Sequence, residues 1–251
     1  MVGNANGISY RVAFYGETNT LGAPAVIAVS NGTLAFRTGA LAAPDGFTFV
    51  GSNGNLELLS TNLIAGTVTA LSGRIMPQHD LALGPVPADL APAAITLDGG
   101  MLGNLDSPVT IHPNRGITAG PNGAYRHGRN INVGASALAI ESPITGPGSV
   151  TVMRQTDEVE FRNAGNDYSG DTVFGAAAPV GHYSGTDQGA SLLILGADEV
   201  IPHGEGKGRL VFVQNMDGVL NLNGHTETVN GIAAAKDRKS TRLNSSHESP
   251  S

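Results

Sequence analysis

Apolar residues occur along the chain in short runs separated by Gly, Asn, Asp, Ser and Pro, the punctuation of many short β-strands. An Asn-Gly or Asp-Gly pair followed by alternating apolar residues recurs at Asn31-Gly32, Asn53-Gly54, Asp98-Gly99 and Asp217-Gly218. Each pair reads as a turn that supplies positive φ. The alternation after it, as in Leu34-Ala35-Phe36 and Leu56-Glu57-Leu58, puts apolar side chains on one buried face. The first two pairs start 22 residues apart and the third 45 further on, about two such periods; the fourth follows after another 119, which is not a clean multiple. A period near 22 with insertions predicts an all-β chain whose successive turns stack as the rungs of a β-solenoid. Further strands are predicted at 26–29, 47–50, 109–111, 131–133, 138–140, 149–153, 159–162, 172–174, 192–195, 209–213 and 226–229. The best helical stretch, Pro87 to Ala94, contains Pro87 and Pro92 and is assigned to a loop. Rungs of 22 residues stacked at strand spacing give a rod roughly 50 Å long.

Composition narrows the classes. The 251 residues include 35 Gly and 14 Pro without a Gly-x-y period, which excludes collagen. Charged residues are 14% against a usual ~25%, so this is not a charge-driven disordered chain. There is no Cys, hence no disulfide, thiolate nucleophile or cysteine zinc site. A net charge of −7 argues against nucleic acid and anionic lipid as partners, and no apolar run approaches the ~20 residues of a membrane-spanning helix. Met1 to Gly7 lacks the basic and apolar regions of a signal peptide, so the start reads as a cytoplasmic beginning or a cut inside a longer protein.

From Asp237 the chain turns polar, basic and glycine-free. Residues 237–247, Asp-Arg-Lys-Ser-Thr-Arg-Leu-Asn-Ser-Ser-His, resemble the in-frame translation of a common short-read sequencing adapter. Residues 237–251 are therefore expected to be a non-native disordered tail packed against nothing. Residues 1–236 then carry eleven basic and nineteen acidic side chains, a net charge of −8.

The last third carries three connected stretches: Asn163-Ala164-Gly165-Asn166-Asp167-Tyr168-Ser169-Gly170-Asp171-Thr172, then Leu192-Leu193-Ile194-Leu195-Gly196 running to Gly208, then Leu220-Asn221-Leu222-Asn223-Gly224 running to Gly231. Together they resemble the autotransporter-associated β-strand repeat, closely over 163–231 and more loosely over 95–160. The resemblance implies a right-handed parallel β-helix belonging to a secreted or surface-exposed bacterial passenger. Asn166, Tyr168, Gly170, Thr172, Leu195, Gly196, Leu220, Leu222, Asn223 and Gly224 would be its structural motif. It also implies a stalk or adhesive role without catalysis or cofactor, with glycans or other surface proteins as partners. One departure is the Gly/Ala-rich insertion at 175–191, containing His182 and Tyr183 where the family has a short turn. It is either a protruding binding loop or tolerated surface, and the second reading is preferred because long surface insertions add little closure entropy.

Candidate chemistry is sparse. Gly204-Glu205-Gly206-Lys207-Gly208 fails the phosphate-loop pattern at Ile201 and Gly208. Gly181-His182-Tyr183-Ser184-Gly185 is not a nucleophile elbow. Asp157, Glu158 and Glu160, and the pair Asp198-Glu199, are the densest acidic groups, and on a strand Glu158 and Glu160 share a face. Such a patch would bind calcium or act as an acid/base pair on a polysaccharide, or else stay solvated. The histidines at 79, 112, 127, 182, 203 and 225 show no ligand spacing, so no metal is assigned. The leading expectation is a non-enzymatic solenoid segment. The alternative is a carbohydrate-binding or pectin-lyase-like β-helix using the acidic face, and a third possibility, a β-sandwich lectin, requires antiparallel hairpins.

Overall fold

A computed structural model describes residues 10–105, 107–127, 138–152, 158–175, 191–213 and 218–234. These residues form 25 strands and no α-helix; a single 3-10 turn covers Asp80–Leu83. The strands make four sheets of ten, seven, five and three members. Every strand pairing is parallel, so the antiparallel hairpins of a sandwich lectin are absent among the described residues. Short apolar segments with no helical period can satisfy their backbone only by pairing. Parallel pairing requires a return path between partners, which the chain provides by visiting the other sheets. Thus Tyr10–Phe14 of the ten-stranded sheet is followed by Thr18–Thr20 of the three-stranded sheet and Val26–Ala28 of the seven-stranded one, and then Asn31–Phe36 returns beside Tyr10–Phe14.

One position followed through the ten-stranded sheet links Arg11, Thr33, Asn55, Arg74, Met101, Tyr125, Thr151, Val173, Val211 and Ala233. The sequence steps are 22, 22, 19, 27, 24, 26, 22, 38 and 22 residues, so the period expected from Asn31 and Asn53 recurs in four of nine steps. The step of 38, from Val173 to Val211, contains the 175–191 stretch, of which 176–190 lie outside the described residues. Ten strands at ~4.8 Å give a ladder about 43 Å tall.

The Asn-Gly and Asp-Gly pairs need correcting. Asn31-Gly32 and Asn53-Gly54 are the first residues of strands and lie opposite each other in the ladder. Gly32 has φ 122 as a turn glycine would, but Gly54 does not appear among the positive-φ residues. A Cβ on Gly54 would instead run into the backbone and side chain of Val29, so that glycine admits the neighbouring chain. Because Arg74 pairs with both Asn55 and Met101, the equivalent of Asn53-Gly54 is Gly99-Gly100, one residue beyond the predicted pair. Asp217 lies outside the described residues, and Gly218 opens the strand Gly218–Asn221 of the five-stranded sheet, not the ten-stranded one. This explains the awkward spacing of 119. Of the other predicted strands, 131–133 is outside the described residues and 226–229 is not a strand. The Pro87 to Ala94 stretch is not helical; its last four residues begin the strand Ala91–Leu97.

The core is a set of columns. In the seven-stranded sheet Phe47, Val68, Ile95, Ile117 and Ile144 stack in register, each at most 4% exposed. Their neighbours Thr48, Thr69, Thr96, Thr118 and Thr145 form a matching row on the opposite, half-exposed face. β-branched side chains at strand spacing fill such columns well. Aromatic rings follow the same rule: Phe174 and Phe212 stack at 4.7 Å with an 11° interplanar angle.

Two buried asparagines tie three layers together. Asn62 accepts from the Leu41 N–H (2.7 Å) and donates to the Ala82 carbonyl (2.6 Å). Asn166 likewise accepts from Ile144 N–H and donates to Val200 O, both at 2.8 Å. An amide carries its acceptor and its donor on separate atoms, so one side chain can bridge to the layers on both sides. Asn62→Ala leaves a buried donor and a buried acceptor unsatisfied and is expected to lower stability by about 2–5 kcal/mol in urea unfolding. Asn62→Asp is expected to cost at least as much, because it faces the Ala82 carbonyl with a second acceptor and buries a charge. Losses under about 0.5 kcal/mol, the range of ordinary surface changes, would contradict the bridging role.

Candidate functional site

The predicted acidic face is partly present. Glu158 and Glu160 lie on the strand Glu158–Phe161 with Val159 and Phe161 buried between and after them, so the two glutamates do share the outer face. Asp157 lies outside the described residues. Arg162 takes up the available charge: its Nη2 donates to Glu160 at 2.7 Å and its Nη1 to Glu141 at 3.1 Å. The hydrogen bond to Glu160, then that to Glu141 and the charges of both, raise the guanidinium pKa against the opposing effect of burial. Glu160 is thus held in an exposed ion pair. Gly196 makes room for that pair, since a Cβ there would meet Arg162 Cγ and Glu160 Oε1, each at 2.6 Å.

The remaining motif residues have packing or bonding partners. Tyr168 is buried with its hydroxyl 2.6 Å from that of Thr172, which is also buried. A Cβ on Gly170 would collide with the backbone at Gly148 and Ser149. Leu195 and Leu220 are in the core and Leu222 packs against it. Asn223 (φ 51) and Gly224 (φ 83) form the turn after the strand Gly218–Asn221, and the Asn223 amide donates to Leu195 O at 3.2 Å. Lys207, whose spacing failed the phosphate-loop pattern, pairs with Asp167 at 2.6 Å. His182, Tyr183 and Ser184 are outside the described residues.

Two shallow clefts lie on the outer side of the seven-stranded sheet. One, of about 440 Å³, is bounded by Pro85, Val86, Pro87 and Arg115; the other, of about 460 Å³, by Pro24, Asp45, Thr48 and Thr67. Arg115 is buried and fully engaged, donating to both Asp80 oxygens at 3.0 and 3.1 Å and to the carbonyls of Leu83 and Gly84. It offers no free charge to the first cleft.

A tighter constellation forms where the chain leaves two paired strands of the five-stranded sheet, Ser191–Leu195 and Gly218–Asn221. The stacked turns that follow place Asp198 and Glu199 beside residues 225–228. Asp198 Oδ1 accepts from the Thr226 N–H at 2.9 Å and lies 3.2 Å from His225 Nδ1. The backbone bond from Thr226, then the bond to His225, lower its pKa. Glu199, at φ 52, accepts from the N–H and hydroxyl of Thr228 at 2.9 and 3.0 Å and sits 3.4 Å from His203 Nδ1. Glu227 reaches the other way and accepts from Val200 and Ile201 N–H at 3.0 and 3.2 Å. Burial pushes its carboxyl up to about 7, against those two bonds and helped by the charges of Glu199 and Asp198.

One ligand atom from each of Glu199, His203 and Glu227 falls in a group no more than 4.8 Å across. His203 and His225 thus each have a carboxylate beside them, a neighbourhood that histidine spacing alone does not reveal. The signal was present as Glu199-x-x-x-His203 plus an acid one layer on. It cannot be read without knowing that the local step is 27 residues, from Ser191 to Gly218. Set against protein-family models, curated proteins and solved structures, the chain matches none.

A carboxyl whose folded pKa lies above its ordinary 4.5 binds more protons folded than unfolded between the two values. Stability is therefore lost as pH rises from about 4.5 through about 7. Thermal melting at pH 5 and pH 8 is expected to show a falling contribution from this corner, and Glu227→Gln should flatten that fall. An unchanged pH slope in the variant would show that Glu227 is not the group responsible.

Proposed function

We propose that the chain is a segment of a right-handed parallel β-solenoid with a structural role. It is a stalk or adhesive passenger of a secreted or surface-exposed bacterial protein, akin to the autotransporter-associated repeat. The observation that carries this reading is the continuous parallel register of the ten-stranded sheet. A chain that repeatedly returns to stack on itself builds length and surface, with each turn supported by its neighbours. The side chains support the same reading. Arg162, Asn62, Asn166, Arg115, Lys207 and Asp198 are engaged in bonds between chain segments, as a load-carrying rod needs.

The glycan-cleaving alternative needs an ionised carboxylate beside a protonated one across a bound sugar, at a separation that selects the mechanism. Glu160, its best-placed residue, is already held by Arg162. Purified protein incubated with polygalacturonate and with neutral polysaccharides is expected to release no new reducing or unsaturated ends. Release abolished by Glu160→Gln would overturn the structural reading. Placed between an export signal and an outer-membrane barrel, residues 1–236 are expected to reach the cell surface and be cut by external protease. Retention inside the cell would count against a passenger role.

A further inference from the structure

We propose that Glu199, His203 and Glu227 form a binding site for a divalent cation of the zinc class, which fastens the turn at 199–203 to the turn at 225–228. This extends the structural reading above and stands on geometry of its own. The three side chains approach from two chain segments, and their donor atoms lie within 4.8 Å of one another. Small side-chain rotations bring such a group to the ~2 Å bond lengths that zinc requires.

Both carboxylates are oriented from behind. Glu227 is held by the N–H groups of Val200 and Ile201, and Glu199 by the N–H and hydroxyl of Thr228. Each carboxylate oxygen accepts one of these bonds and keeps acceptor capacity for a further partner. Orientation of this kind by neighbouring donors is what fixes the ligands of a metal centre.

The local charge balance points the same way. Asp198, Glu199 and Glu227 crowd one corner. Among the described residues, no lysine or arginine pairs with Glu199 or Glu227, because Lys207 and Arg209 are committed to Asp167 and Asp171. Glu227 feels the charges of Glu199 and Asp198, Glu199 lies beside the His203 imidazole, and Asp198 lies beside that of His225. Two converging carboxylates whose one neighbouring cationic group among the described residues is an imidazole favour a bound cation over mutual repulsion. The donor types choose among cations. One imidazole nitrogen with two carboxylate oxygens suits zinc, with a fourth position open to water, whereas calcium prefers six to eight oxygens.

The test is titration of the full chain with zinc against a chromophoric chelator, with melting temperature recorded alongside. One zinc per chain is expected, with a melting temperature that rises with zinc concentration as linkage requires. Calcium at the same concentration should produce neither effect. His203→Ala, an exposed substitution that leaves the strands alone, should weaken binding by about 100-fold or more, at or beyond the loss typical of a second-sphere change. Glu227→Gln should do the same, and His79→Ala should leave binding unchanged. Absence of zinc binding, or undiminished binding in the His203→Ala variant with a normal circular dichroism spectrum, would overturn the proposal.

Discussion

Everything in this molecule depends on one geometric requirement: each strand must find its hydrogen-bond partners in the layers above and below. The ladder through Arg11, Thr33, Asn55 and Arg74 is the same position met again and again, with the intervening chain routed through the other sheets. Once a position is fixed in one layer, the next layer's residue at that position has its environment dictated. Apolar side chains accumulate into columns such as Phe47, Val68, Ile95, Ile117 and Ile144, and outward ones into the threonine row beside them. A slip of one residue would exchange the two sets, placing hydroxyls in the core and isoleucines in water.

That constraint also explains the composition. Where the chain bends between sheets, adjacent layers approach too closely for a Cβ. Gly46 combines φ +74 with a collision course on the Thr67 carbonyl, whereas Gly224 needs only its φ of +83, since no atom lies within 4 Å of its added carbon. Backbone groups that the bends leave unpaired inside the structure are met by asparagine, as at Asn62 and Asn166. Glycine and asparagine are thus two answers to the same bends, and the columns between them are filled mainly by Val, Ile, Leu and Ala with Phe at several positions.

The strand class and the approximate period were legible in the sequence because alternation and spacing are local. The pair at Asn31 and Asn53 marks a true layer step. Asp98-Gly99 was misplaced by one residue and Asp217-Gly218 by a whole sheet, since the same dipeptide serves bends with different backbone demands. Thr18–Thr20, Leu63–Ile64 and Ile232–Ala234 carry too little pattern in two or three residues to be predicted, and the longer Tyr10–Phe14, Arg74–Pro77 and Arg115–Ala119 are also unpredicted, their apolar runs interrupted by Arg, Gly or Pro. The constellation of Glu199, His203 and Glu227 was only half legible: Glu199 and His203 stand four residues apart, but Glu227 joins them only once the step from Ser191 to Gly218 is known. The acidic face at Glu158 and Glu160 was legible from strand alternation, but its neutralisation by Arg162, shared with Glu141 of another layer, was not.

Register is the central claim, and the absence of native cysteine allows it to be tested by cross-linking. Thr48 and Thr69 are direct partners, so Cα atoms in neighbouring strands stand about 4.8 Å apart, within the range a disulfide spans. A Thr48→Cys, Thr69→Cys variant is predicted to form an intramolecular disulfide on mild oxidation. Thr48→Cys with Thr96→Cys, two layers apart at about 10 Å, should not, and neither should Thr48→Cys with Ala70→Cys, which places the thiols on opposite faces. Equal cross-linking in all three variants, or none in the first, would contradict the stacked parallel register on which the whole account rests.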